Sequence, residues 1–309
     1  MGNPFTRLRR RAAVAALVCV SLAGCSKMSN LLDGADSKSS TTEAAKVDSN
    51  GKPLSPDMIA ADQTDEVATL YNRGLADLST GSYKSAAKNF SEVERQYPYS
   101  KWATKAIVMQ SYAFYQRSDY TESIDAANRY ITLHPSGKDA PYAYYLIALS
   151  NYEQIKDVQQ DQSTTRKALD SLEEVQRRFP DSPYAVDAGQ RAQLARDHLA
   201  AKEMDVGRYY LKHGSYLAGI NRFKTVVTDY QTTSQVPEAL YRLAEGYMAL
   251  GVTSEAQTAA AVLGHNFPNS QWYKDAYTLV ASDGQAPLEN QESWISRAFK
   301  SLNPFEPLQ

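Results

Sequence analysis

VATLYNRGLADLSTGSYKSAAKNFSEVERQYPYS, residues 67–100, is the stretch whose reading decides the fold. Its apolar residues recur at helical spacing in two short runs, so it predicts two amphipathic helices folded back on each other. Small residues, Gly74 and Ala86, stand where the helices must touch. Gly81 marks the turn with Tyr83 just behind it, Phe90 fills the space between the helices, and Pro98 stops the second one. Such a 34-residue hairpin cannot bury its apolar face alone, so it demands neighbours stacked on it.

The chain supplies them. Trp102 to Arg117 and Tyr120 to Leu133 form a second hairpin, closed by His134-Pro135, with Ser111 and Ser123 at the small positions and Ala127 in place of the filler ring. A third begins at Pro141 with PYAYYLIALSNY and ends through Ala168, Leu172, Val175 and Pro180. Between its helices lies an extra polar piece, Gln154 to Thr165, which is either a partner-binding insertion or a solvated loop. From Tyr184 to about Lys212 the helical pattern runs without a stop, giving one long helix of about 43 Å that joins three units to two more. Its end launches a fourth unit in which Gly207, Gly214, Tyr216 and Phe223 each lie 133 residues after Gly74, Gly81, Tyr83 and Phe90. A fifth opens at Pro237 and runs through Leu240, Leu243, Ala244, Tyr247, Gly251, Ala256, Leu263 and Pro268, with a last helix near Trp272 to Ala281 to cover its open side. These units resemble the tetratricopeptide (TPR) repeat. The predicted fold is therefore all-α: a TPR-type superhelical solenoid of about five helix-turn-helix units, preceded by a lipoprotein signal peptide and a disordered tether.

The N-terminus reads as an address. Arg7, Arg9, Arg10 and Arg11 form a basic region, Ala12 to Leu22 an apolar one too short to span a bilayer, and Leu22-Ala23-Gly24-Cys25 resembles a bacterial lipobox. Residues 1–24 are then a removed signal peptide and Cys25 a lipidated residue. Residues 25–65 form a flexible tether without aromatics, with a reach of roughly 35 Å. The chain has two cysteines, and Cys19 lies in the removed segment, so no thiol is left to form a disulfide. The net charge of −2 conceals the four N-terminal arginines; without them the remainder stands at −6, which offers nothing to nucleic acid. The expected organisation continues with three substrate-side units over 66–183 and two complex-docking units with their cap over 184–282. A flexible tail with a short amphipathic helix follows over 283–309. In that tail Trp294, Ile295, Ala298, Phe299 and Leu302 share one side of a helix beside Arg297 and Lys300. Its apolar side suits a membrane surface or a partner groove, or else docks on its own protein or stays disordered.

No catalytic constellation is present in the sequence. His134, His198, His213 and His265 are never paired at metal-ligand spacing, and no HExxH, GxSxG or phosphate loop occurs, so neither enzyme, metal nor cofactor is expected. The A helices of a TPR array line its concave surface. Counting three before, one after and four after each small residue places Tyr71, Leu75, Tyr112, Tyr115, Tyr145, Leu149 and Tyr152 there in units one to three. Rigid rings with hydroxyl tips suit an extended peptide, unless several pack between neighbouring A helices instead. Met204, Arg208, Leu211, Tyr241, Glu245 and Met248 give units four and five a more mixed surface.

The LAGC box, the spacer, LYNRGLADLSTGSYKSAAKNFSEVERQYPYS, the third-unit insertion and the long helix ending in YYLKHGSYLAGINRF together resemble the BamD (ComL) family of outer-membrane assembly lipoproteins. The likeness covers about Gln63 to Val280. It implies a non-catalytic subunit of the β-barrel assembly (BAM) machinery, lipid-anchored at the periplasmic face of the outer membrane. The Tyr71-Tyr112-Tyr145 groove would receive unfolded barrel substrates. Asn221 and Arg222 would face the POTRA modules of a BamA-like barrel protein, with other Bam lipoproteins nearby. A TPR envelope adaptor for cell-wall enzymes or the Tol–Pal system is the alternative; its Tol-related members carry heptads that are absent here. An envelope hydrolase would need a nucleophile.

Overall fold

The computed structural model describes residues 56–281 and 287–300, with side chains from residue 66 onward. The chain divides into two units at Thr64 and Asp65. Of the first, the described part is the helical stretch 56–64, and all contacts below lie in the second. The signal peptide, Cys25 and most of the expected tether fall outside the described residues.

Twelve helices and no strand make up the described chain, and ten of them pair as five antiparallel hairpins. These are α1 (Pro56–Ser79) with α2 (Tyr83–Gln96), α3 (Lys101–Gln116) with α4 (Tyr120–Leu133), and α5 (Ala140–Tyr152) with α6 (Ser163–Arg178). Then come α7 (Pro183–Lys212) with α8 (Tyr216–Asp229), and α9 (Val236–Ala249) with α10 (Thr253–Asn266). The fold is the TPR-type solenoid that the repeats predict. Two boundaries differ from expectation. The first helix starts at Pro56, inside the expected tether, where proline is favourable at a first helical position. The extra piece in unit three ends by Gln162, because α6 begins at Ser163 and buries Thr165.

Local chemistry sets the hairpin in the same way each time. Every B helix ends on a ring, namely Tyr97, His134, Phe179, Tyr230 and Phe267. Each sits at φ between −126° and −136° with ψ between 40° and 60°, and donates its N–H to the carbonyl four residues back. Proline follows four of these rings and pushes the preceding residue out of the helical region. Tyr230 takes the same conformation with Gln231 behind it, so the cap does not need the proline. At the A-to-B turns Gly81, Gly214 and Gly251 have φ of 71–74°, and Ser118 occupies the same left-handed region at 64°.

Between the helices the same two positions are filled in two ways. A methyl group on Gly74 would stand 2.7 Å from the Phe90 ring, and one on Gly207 would stand 2.5 Å from Phe223. The helices approach so closely that only hydrogen fits. Where the A-helix position carries a side chain, as at Ser111 and Ala244, the residue sixteen positions on is alanine, Ala127 and Ala260, and all four are buried. Ser111 Oγ bridges the narrow gap by donating to the Ser123 carbonyl at 2.8 Å.

The end of the array is covered twice. Helix α11 (Gln271–Val280) lays Trp272 on Tyr241 with ring centroids 5.4 Å apart, and α12 (Trp294–Lys300) straps across α8 and α10. Ile295 is fully buried, Trp294 Nε1 donates to Tyr247 Oη at 3.1 Å, and Ser293 Oγ donates to Glu255 at 2.6 Å. Gln231 holds the Ala298 carbonyl at 3.0 Å. Residues 287–300 thus spend their apolar side on their own protein, the second of the two alternatives for this segment. The strap exists because the apolar face of α8 and α10 has no further hairpin to cover it.

Gly74→Ala is expected to cost about 1–3 kcal/mol by overpacking, and Phe90→Ala about 3–5 kcal/mol by leaving a cavity. The double variant should lose less than the sum in urea unfolding, because it recreates the Ala244/Ala260 arrangement. Ser118→Gly should raise stability by about 1 kcal/mol by relieving its left-handed conformation. Ile295→Ala should release α12, measured as faster amide hydrogen exchange in α12 with exchange in α3 to α6 unchanged.

Candidate protein-docking surfaces

Helices α1, α3, α5 and α7 carry the expected groove positions, with α3 packed beside α5 and α5 beside α7. Positions three before the small residue turn toward the adjacent A helix rather than the groove in three units. Tyr71, Val108 and Met204 are 1%, 3% and 0% exposed. Tyr71 is therefore not a rung of the groove. Its ring packs on Phe90 at 5.4 Å and on Trp102 of α3 at 4.9 Å, and burial raises its pKa. Helical side chains lean over the neighbouring turn, and in unit one the large Trp102 fills the space beside Tyr71. Leu149 is likewise buried. Leu75, Tyr112, Tyr115, Tyr145 and Tyr152 remain half-buried on these helices.

These tyrosines do not present loose hydroxyls. Tyr115 Oη donates to Glu153 at 3.3 Å, and Tyr145 Oη donates to Asp187 on α7. Arg191, one turn on from Asp187, bonds it at 2.6 Å, stands 3.8 Å from Glu153 and lays its guanidinium 5.2 Å from the Tyr152 ring centre. Burial and then the facing carboxylates push Tyr115 and Tyr145 well above the ordinary phenol range, so both stay protonated as donors. Rings continue the surface: Tyr145 stacks on Tyr184 at 5.0 Å, Tyr184 meets Tyr142 at 5.2 Å, and Tyr142 meets Tyr112 at 6.5 Å. Sequence reasoning missed Tyr142, Glu153, Tyr184, Asp187 and Arg191. The one local signal was the Asp187/Arg191 pair at i, i+4.

Asn221 and Arg222 are exposed on α8, and Arg222 pairs with Glu203 of α7 at 3.1 Å. Beside them a cavity of about 410 Å³ opens between α7, α8 and the loop 153–162. Lys202 Nζ ties that loop to α7 by donating to the Gln159 carbonyl at 2.8 Å. Among the described residues no group of His, Cys, Asp and Glu is placed to hold a metal, and no helix is long and apolar enough to cross a membrane.

An all-α array of stacked helix-turn-helix units, with rings in contact across α3, α5 and α7, defines a repeat protein of the TPR class. The chain belongs to the family described as YfiO, outer membrane lipoprotein, which it matches over residues 63–263, from the first hairpin into the fifth. Among its relatives is the outer membrane protein assembly factor BamD of Caulobacter vibrioides, 45% identical over 237 residues, covering 77% of each chain. The factor of the same name from Rickettsia prowazekii is 47% identical over 214 residues, covering 69% of this chain and 85% of that one. Among solved structures, the TPR2AB-domain:pHSP90 complex of yeast Sti1 aligns at 10% identity with a TM-score of 0.40, covering 71% of this chain and 83% of that one.

Arg191→Met is expected to cost about 1–3 kcal/mol by leaving Asp187 and Glu153 unpaired, and Tyr145→Phe about 0.5–1.5 kcal/mol. Their effects should be coupled in a double-mutant cycle, read by urea unfolding and near-UV circular dichroism.

Proposed function

We propose that this chain is a non-catalytic subunit of the BAM machinery that scaffolds assembly and insertion of β-barrel proteins into the outer membrane. Lipid on Cys25 holds it at the periplasmic face, since each buried CH₂ adds about 0.8 kcal/mol and several acyl chains anchor firmly. The convex face around Asn221 and Arg222 docks on the POTRA modules of a BamA-like barrel protein, with other Bam lipoproteins as neighbours. The concavity of Leu75, Tyr112, Tyr115, Tyr145 and Tyr152 receives unfolded barrel segments through ring contact and hydrogen bonding. One observation carries this reading: a family match that spans the hairpin array, with relatives named as assembly factors at 45–47% identity.

Affinity purification from outer membranes in mild detergent is expected to recover a barrel protein with POTRA modules. Arg222→Glu should reduce that recovery several-fold, and Cys25→Ala should shift the chain out of the membrane fraction. Recovery of amidases or Tol proteins instead, or depletion that leaves porin levels unchanged, would overturn the proposal.

A further inference from the structure

At their exposed positions the repeats serve as controls for one another. Four hairpins turn through a left-handed residue, Gly81, Ser118, Gly214 or Gly251, with φ between 64° and 74°. The residues on either side of it are polar in three of them: Thr80 and Ser82, Arg117 and Asp119, His213 and Ser215. In unit five they are Leu250 and Val252, 45% and 41% exposed. The second residue of the following helix is likewise polar and exposed in α2, α4 and α10, as Lys84, Thr121 and Ser254. In α8 it is Leu217, 66% exposed. Neither the turn nor the helix start requires these three apolar side chains, since the same backbone forms with polar ones elsewhere in the chain.

The three stand at one end of units four and five. A methyl group on Gly246 of α9 would come 2.8 Å from Ile220 of α8, so these antiparallel helices touch there. Three residues back along α8 is Leu217, and four residues on from Gly246 is Leu250, so both lie about 5 Å toward the same end. Val252 donates its N–H to the Tyr247 carbonyl at 2.9 Å, which folds it back against the end of α9. Along α8, Leu217, Asn221 and Lys224 follow one another at i, i+4 and i+7 as a single exposed stripe. Lys224 meets the strap, its ammonium 4.9 Å from the Trp294 ring centre, so the stripe is closed at that end and open at Leu217.

We infer that Leu217, Leu250 and Val252 form the apolar centre of the α8 docking surface and receive apolar side chains of the partner, with Asn221 and Arg222 on its polar rim. Protein–protein interfaces carry an apolar centre ringed by polar groups, and neighbouring exposed apolar side chains mark such sites. Leu217 lies one turn from Asn221, so centre and rim are continuous on α8. The occupant is the barrel protein with POTRA modules, an identity that rests on the reading of α8 as its docking face.

The test exchanges these residues for their unit-one counterparts in the full chain, as Leu217→Lys, Leu250→Thr and Val252→Ser, and repeats the outer-membrane purification. The triple variant should recover about tenfold less of the barrel protein, and Leu217→Lys alone several-fold less, whereas Leu217→Met should recover it as the native chain does. Leu133→Thr, which removes a comparably exposed leucine at the other end of its hairpin, should change nothing. Far-UV dichroism and the urea midpoint should stay native, because each new residue already stands at the equivalent turn in unit one. Undiminished recovery by the triple variant and by Leu217→Lys, alongside loss with Arg222→Glu, would overturn this surface and leave the docking face standing. Undiminished recovery by all three, or none of the barrel protein with the native chain, would overturn both. A native dimer in light scattering that the triple variant turns into a monomer, with recovery intact, would give the surface to a second copy and overturn the inference.

Discussion

Everything in this solenoid depends on how closely the two helices of a hairpin approach. In units one and four the gap closes until a glycine backbone rests on a phenylalanine ring; in units two and five the same gap is filled by Ser111 with Ala127 and by Ala244 with Ala260. The same two positions are filled either by glycine against a ring or by two small side chains, and all of them are buried. The apolar faces of successive hairpins merge into cores that cross unit boundaries. Ile107 and Val108 of α3 share one core with Ala127 and Tyr130 of α4 and Leu146 of α5. An open stack leaves its last face bare, and here Trp272 and Ile295 of two successive short helices close it.

The architecture was readable because each device is local. Glycine at a left-handed turn, a ring followed by proline at a helix end, and an uninterrupted helical pattern in α7 each act within a few residues. The 133-residue offset between Gly74/Phe90 and Gly207/Phe223 reports a real structural equivalence, since both phenylalanines meet their glycines in the same way. What could not be read was the surface. Whether Tyr71 faces solvent depends on Trp102, a residue of the next hairpin. The partners of Tyr115 and Tyr145 lie 38 and 42 residues away. The tail's amphipathic pattern declares an apolar side but not what that side covers, and only the bare face of α8 and α10 answers that.

The two faces differ in how their polar groups are committed. Across α3, α5 and α7, hydroxyls, carboxylates and Arg191 satisfy one another, so the rings are fixed and partly desolvated. On the α8 side, Arg222 pairs with Glu203 and Lys202 with the Gln159 carbonyl, while Asn221 and Arg222 stay exposed. A surface of the first kind favours contact with little ordering cost, and one of the second kind favours charge and hydrogen-bond selection.

Helix α7 belongs to both halves. Its 30 residues form one unbroken helix about 45 Å long, with Asp187 and Arg191 near one end and Glu203 and Arg208 toward the other. Bending it would break backbone hydrogen bonds with no glycine–proline joint to absorb the strain. The molecule therefore behaves as a ruler and not as a clamp. The spacing between the Asp187/Arg191 cluster and the Glu203/Arg222 pair is therefore set in advance by the helix itself.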